Sequence, residues 1–288
     1  MGNQHATACL VGRQPMNRLP IQDVRYLALG IGSIRGVALL SAYKRLVQKG
    51  LPRLQGIAGS SVGCILGLGI VLQMSTNELQ QFLEHFIEQQ GSHFTIKIER
   101  SCGKFSWINN EPLRVEIERL LRERNMSPTI TFLELYQKTK VDYRVVAYNL
   151  ETKTTETFNY QRTPTDSVIH AIMASSSIPY LFKPERLRDQ CYIDGGFVNE
   201  IPLREFPLSQ TLGLYLYDAY RDRTNADKLF SSLSSTEKDH FISMDVSRVK
   251  TTHFKLTTAM KAYLTKQGED SIDIYYPPGL YPLKQTIR

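Results

Sequence analysis

The chain has 288 residues, of which 42% are hydrophobic and 22% charged, and it carries a formal net charge of +7 at pH 7. This balance excludes a disordered or low-complexity protein, and the length suffices for one α/β domain with a buried core, or one domain with a small appendage. The positive charge suits an anionic surface. Because the basic residues are dispersed and form no nucleic-acid-binding module, anionic phospholipid is the expected partner and nucleic acid is not.

Residues 1–22 are polar and carry Arg13 and Arg18 without an acid, which reads as a flexible tail. The opening Met1-Gly2-Asn3-Gln4-His5-Ala6 resembles an N-myristoylation signal at Gly2, with Ala6 in place of the usual serine or threonine and Cys9 as a second acylation candidate. No continuous apolar stretch of a secretory signal precedes the first strand. The cysteines Cys9, Cys64, Cys102 and Cys191 have neither metal-ligand spacing nor a dense disulfide framework, so a cytoplasmic location is expected.

A buried strand over 26–29 runs into Gly30-Ile31-Gly32-Ser33-Ile34-Arg35-Gly36 and then a helix over 37–47. Strand, glycine loop and helix together leave backbone N–H groups directed at one point, with the helix dipole favouring negative charge there. Such a loop holds either a nucleotide phosphate or the oxyanion formed when a nucleophile attacks an ester. Ser33 stands where a dinucleotide loop needs its third glycine and no Lys-Ser or Lys-Thr pair follows, which favours the oxyanion.

The next strand, over 54–58, meets Gly59-Ser60-Ser61-Val62-Gly63 and an uncharged helix over 62–72. Glycines two residues either side of a serine remove the side chains that would clash in an abrupt strand-to-helix turn, so this is a nucleophile elbow presenting Ser61. The uncharged run is too short to span a membrane and reads as a buried central helix. A Ser75-x-x-Glu78 capping box opens a helix over 77–90. The segment 91–110 sets Phe94, Ile96, Ile98, Phe105 and Trp107 among charges, as in a lid, a membrane-facing loop or a packed excursion.

Helices follow over 112–124 and 131–138, and strands over 143–149, 155–160, 192–194 and 212–217. The strand 192–194 ends in Asp194-Gly195-Gly196, either a rigid carboxylate beside open space or the turn of a hairpin. Beyond 220 the chain is polar to 240, then helical near 256–265, and ends in a Pro277-Pro278-Gly279 turn. The elements assemble as a central mixed, mostly parallel sheet with helices on both faces, with ligands at the carboxyl ends of its strands. The expected organisation is a tail (1–22), a catalytic domain (23–215) and an extension (216–288) that packs on the domain or binds a partner.

A serine hydroxyl attacks an ester only if a base removes its proton. Asp194 can serve directly, provided burial raises its pKa towards working pH. The rival is a triad in which Asp218 is followed by His240 or His253, in the chain order of α/β-hydrolases. Both histidines lie among polar residues and read as surface groups, His170 reads as a helix-packing residue, and His85 falls on a helix among glutamines and glutamates.

Glycine loop with a basic residue, GxSxG serine and late Asp-Gly-Gly, in that order, resemble the patatin-like phospholipase family. The likeness extends over roughly 25–203 and includes Thr131-Phe132-Leu133-Glu134-Leu135-Tyr136, the strand from Tyr143 to Leu150, and Ala174-Ser175-Ser176-Ser177-Ile178-Pro179. It implies a three-layer fold with Ser61 as nucleophile, Asp194 as base, Gly59 and Gly63 as the elbow glycines, and an oxyanion hole from Gly32, Ser33, Ile34 and Arg35, with the amide of Val62 as a further donor. It further implies hydrolysis of phospholipid or related acyl esters through an acyl-serine, without metal or organic cofactor, at a membrane surface. Some members of that family are silent until a protein activator is supplied. Arg35 would orient the loop or attract a phosphate head group; its plainer reading is a solvated first-turn arginine. The departure is at Ile31 and Ser33, which replace two of the family's glycines. A β-branched residue resists positive φ, so lower activity or a narrower substrate range is expected. A catalytically impaired binding module and a histidine-dependent esterase stay open beside the dyad hydrolase.

Overall fold

The computed structural model describes residues 17–93, 110–179, 181–198, 201–218, 231–250 and 255–279. The expectations about Gly2, Cys9, Cys102, His253 and all but the ends of the 91–110 segment lie outside the described residues. Within them the chain forms one eight-stranded mixed sheet: β1 (Tyr26–Leu29), β2 (Gly56–Gly59), β3 (Asp142–Asn149), β4 (Thr154–Phe158), β5 (Glu185–Leu187), β6 (Gln190–Asp194), β7 (Thr211–Tyr217) and β8 (Phe241–Asp245). β3, β2, β1, β7 and β8 are parallel neighbours in that order, while β4 and β6 pair antiparallel to β3, and β5 antiparallel to β6.

Side chains alternate between the two faces of the sheet, as the two-residue period of a strand requires. Leu27, Leu29, Leu212, Leu214 and Leu216 enter the main core, whereas Ala28, Tyr215 and Tyr217 enter a second cluster with Leu203, Leu233 and Phe241. The helices are α1 (Gly36–Gln48), α2 (Val62–Val71), α3 (Thr76–His93), α4 (Glu111–Glu123), α5 (Phe132–Thr139), α6 (Val168–Ser175), the short α7 (Ser235–Asp239) and α8 (Thr258–Tyr275). All ten residues of α2 are buried, in keeping with its uncharged sequence, and no described helix is long and apolar enough to cross a membrane. α8 lies against α1: Gly268 comes so close that a β-carbon there would sit 2.4 Å from the Ala38 carbonyl oxygen, and Asp273 pairs with Arg45 (2.6 Å) and Lys49 (2.8 Å).

One feature of the sheet sets up the site. β2 pairs with the first half of β3 (Gly59 opposite Val145) and β6 with its second half (Asp194 opposite Ala147). The amides of Asp142 and Leu150 both donate towards that side, to Gln55 and Cys191, so β2 and β6 share one edge of β3 and run towards each other. β4, paired over 145–149, takes the other edge. The carboxyl ends of β2 and β6 meet at the Val146 carbonyl, which Ser60 Oγ approaches at 3.4 Å and from which a β-carbon on Gly195 would be only 2.6 Å. The residues just past β2 and at the end of β6 are thereby brought together.

The structure amends several expectations. β2 starts at Gly56 rather than Leu54 and includes Gly59; α3 runs on to His93; α8 extends to Tyr275, well past 265. α6, β5 and β8 were not expected from sequence. Asp194-Gly195 is not a hairpin turn: the β5–β6 turn is Arg188-Asp189, at φ 52° and 60°, and Gly195–Val198 forms a 3-10 turn after β6. His240 is not a surface residue but 7% exposed, with Nδ1 2.7 Å from the Leu208 carbonyl oxygen.

Candidate active site

Ser61 caps α2 with φ 54° and ψ −128°, a combination that an L-residue adopts only when its surroundings impose it. Those surroundings are the two elbow glycines. A β-carbon at Gly59 would fall 2.5 Å from the Cys64 amide nitrogen, and one at Gly63 2.5 Å from the Leu29 carbonyl oxygen. Backbone hydrogen bonds from Gly63 to Ser60 (2.9 Å) and from Cys64 to Ser61 (3.0 Å) complete the turn. The Ser61 amide donates to Ser175 Oγ (2.9 Å), and Ser175 Oγ donates to the Val146 carbonyl (2.6 Å), tying the elbow through α6 to β3. Sequence reasoning assigned Ser175 no role, because a run of three serines carries no mark of which one faces the turn.

Asp194 ends β6, is 6% exposed, and lies close enough to the Ser61 hydroxyl for that group to favour its charged form. Its backbone amide donates to the Ser177 carbonyl (3.0 Å) and its Oδ1 accepts the Gly196 amide (2.8 Å). Burial pushes its carboxyl up from 3.8 to about 6, against the nearby Ser61 hydroxyl and the Gly196 amide, which favour the charged form. Next to it a β-carbon on Gly196 would be 2.5 Å from Ile31 Cγ2, so Ile31 lies as an apolar cover over Gly196.

In the glycine loop the positive φ falls on Ser33 (51°), and Ile31 is not among the positive-φ residues, so β-branching at Ile31 does not oppose the loop's shape. Residues Ser33–Arg35 make a 3-10 turn in which the Arg35 amide donates to the Gly32 carbonyl (3.0 Å). The Arg35 side chain is 3% exposed rather than solvated; Nε lies 3.3 Å from the Gly32 carbonyl oxygen and Nη1 3.3 Å from Asp218 Oδ2, just past β7. It therefore braces the loop from within.

A cavity of about 60 Å³ opens beside Ser61. Ser33, Ile34 and Val62 border it, with Ile65, Phe86, Ile87, Leu113 and Phe182 as apolar walls. Among the described residues no histidine lines it. His85 pairs with Glu116 (3.2 Å), His170 with Glu185 (2.9 Å) and His240 with Leu208.

A family model for patatin-like phospholipases matches residues 27–207. Among curated proteins, the "Probable lipid hydrolase 463L" of Invertebrate iridescent virus 6 is 27% identical over 184 residues, 62% of this chain and 61% of that protein. The protein YqhO of Bacillus subtilis is 25% identical over 289 residues, 87% of this chain and 97% of the relative. The chain thus spans about three fifths of the viral protein's length and nearly all of the bacterial one. Among solved structures, VipD from Legionella pneumophila shares the fold, with a TM-score of 0.65 at 15% identity over 88% of this chain and 67% of VipD. The chain belongs to the patatin-like phospholipase family.

Proposed function

We propose that the protein is a serine lipid acyl hydrolase working through a Ser61–Asp194 dyad. The observation that carries this reading is the convergence of the elbow serine and the carboxylate at the meeting carboxyl ends of β2 and β6, both side chains buried, with burial pushing the Asp194 carboxyl up to about 6. At neutral pH Asp194 is ionised yet basic enough to accept a proton in the transition state. Ser61 Oγ attacks the ester carbonyl as Asp194 takes its proton. The tetrahedral oxyanion is met by the amides of Gly32 and Ser33 and by that of Val62, which as the first residue of α2 has no intrahelical acceptor. Each such donor is worth ~3 kcal/mol, and the amino end of α2 favours the same charge. Collapse expels the alcohol, which takes the proton from Asp194, and leaves an acyl-serine. A water molecule, deprotonated by Asp194, then releases the fatty acid. Neither step draws on a metal or organic cofactor.

The apolar walls suit an acyl chain, and a net charge of +7 suits peripheral attachment to anionic bilayers. The histidine alternative finds no support in the contacts of His85, His170 and His240 described above. The test is fatty-acid release from phospholipid vesicles and p-nitrophenol release from a short ester, for wild type, Ser61→Ala, Asp194→Ala and His240→Ala. The dyad requires losses of at least ~10³-fold at Ser61 and Asp194 only. Loss at His240 with Asp194→Ala active refutes it, as does a wild type inert on both substrates.

A further inference from the structure

Two polar groups in the cavity beside Ser61 have no partner. Ser176 is 6% exposed, directly follows the carboxyl end of α6, and its Oγ makes no hydrogen bond; Asn110 caps α4, and its Nδ2 is likewise buried and unbonded. Both line the cavity that contains Ser61. The Cys64 thiol lies beside Ser176 but is a weak partner and already donates to the Ser61 carbonyl (2.8 Å). Buried donors without acceptors are costly, and a pair in one cavity is the signature of groups completed by a ligand.

Among the described residues every other side chain of the cavity wall, Ser33 and Ser61 apart, is apolar, and neither lysine nor arginine is among them. An anion such as a phosphodiester would meet no countercharge from these residues, and their apolar side chains disfavour it, whereas a neutral carbonyl or hydroxyl fits a hydroxyl and an amide donor. Resting on the hydrolase reading above, we propose that Ser176 and Asn110 form a subsite for a second, uncharged acceptor oxygen of the acyl lipid, distinct from the scissile carbonyl. That oxygen belongs either to the neighbouring ester of a diacyl glycerolipid or to an oxygenated acyl chain. A substrate lacking it leaves both donors unpaired and binds more weakly by about tenfold, the effect of one to two ordinary hydrogen bonds.

The experiment measures binding without turnover. Titration calorimetry on Ser61→Ala compares dihexanoyl phosphatidylcholine with its two monoether, monoester isomers, and a hexanoyl lysolipid with one bearing a hydroxyl on the chain. The expected result is an about tenfold preference for the oxygen-bearing member of one pair, falling to about twofold or less when Ser176→Ala or Asn110→Leu is added. A preference in the first pair identifies the neighbouring ester; one in the second identifies the oxygenated chain. The proposal is overturned by equal affinities in both pairs, by a preference that both added substitutions leave intact, or by no binding of any lipid. Discrimination by Ser61→Ala with no hydrolysis by wild type refutes the hydrolase reading alone; hydrolysis by wild type without discrimination refutes the subsite alone.

Discussion

Replacing Asp194 by asparagine should make the protein more stable at neutral pH while removing its activity. The unfolded carboxyl ionises near 3.8, whereas the folded one holds its proton up to about 6 because burial disfavours the charge. Below pH ~3.8 both states are protonated and the site costs nothing. Between the two values only the unfolded state loses its proton, so stability falls with rising pH, and above about 6 the full penalty is present. A displacement from 3.8 to about 6, at ~1.4 kcal/mol per tenfold in protonation, amounts to roughly 3 kcal/mol. Asparagine retains the oxygen that accepts the Gly196 amide and carries no charge, so it escapes most of that penalty. The assay is urea unfolding of wild type and Asp194→Asn from pH 4 to pH 8. Taking the difference between the two proteins at each pH cancels every other titrating group. The variant's advantage should grow by about 2–3 kcal/mol between pH 4 and pH 7 and then level off. A difference that does not change with pH, or that shrinks as pH rises, would refute the picture of a desolvated carboxylate.

Two further outcomes follow from the supports of the site. Ser175→Ala removes the acceptor of the Ser61 amide, leaving that buried group unpaired, and the shorter of two hydroxyl contacts to the Val146 carbonyl; thermal unfolding should register a loss of about 1–3 kcal/mol, and kcat should fall because the elbow loses its tie to β3. Asp218→Ala removes a carboxylate that pairs with the buried Arg35 guanidinium, at a cost of about 3 kcal/mol in denaturant unfolding, and double replacement by Arg35→Met and Asp218→Leu should recover much of that stability without recovering kcat.

The parts of this molecule that were legible in its sequence are those where one local signal suffices. Glycine spacing around Ser61, the Ser75/Glu78 capping box (Glu78 amide to Ser75 Oγ, 3.2 Å) and the uncharged run of α2 each specify a turn, a start or a buried helix within a few residues. β8 was hidden because Phe241–Asp245 alternates weakly, and it forms by adding to β7 rather than through its own periodicity. The environment of Arg35 was equally hidden: its partner lies 183 residues away, and nothing near Arg35 shows that it will be buried. His240 looked like a surface residue for the same reason, since the carbonyl that holds it belongs to Leu208. The concern over Ile31 illustrates a different limit. The sequence shows that a β-branched residue occupies a glycine's place, but only the folded loop shows that Ser33 takes the positive φ while Ile31 covers Gly196.

The dyad is tested most directly by covalent labelling with a lipid-like fluorophosphonate, followed by mass spectrometry. A base-activated Ser61 displaces fluoride and gives a single adduct on Ser61. The labelling rate should rise with pH through about 6, the value at which burial sets the Asp194 carboxyl, and should drop roughly 10²–10⁴-fold in Asp194→Asn. An adduct on another residue, or labelling of Ser61 at an undiminished rate in Asp194→Asn, would contradict the account.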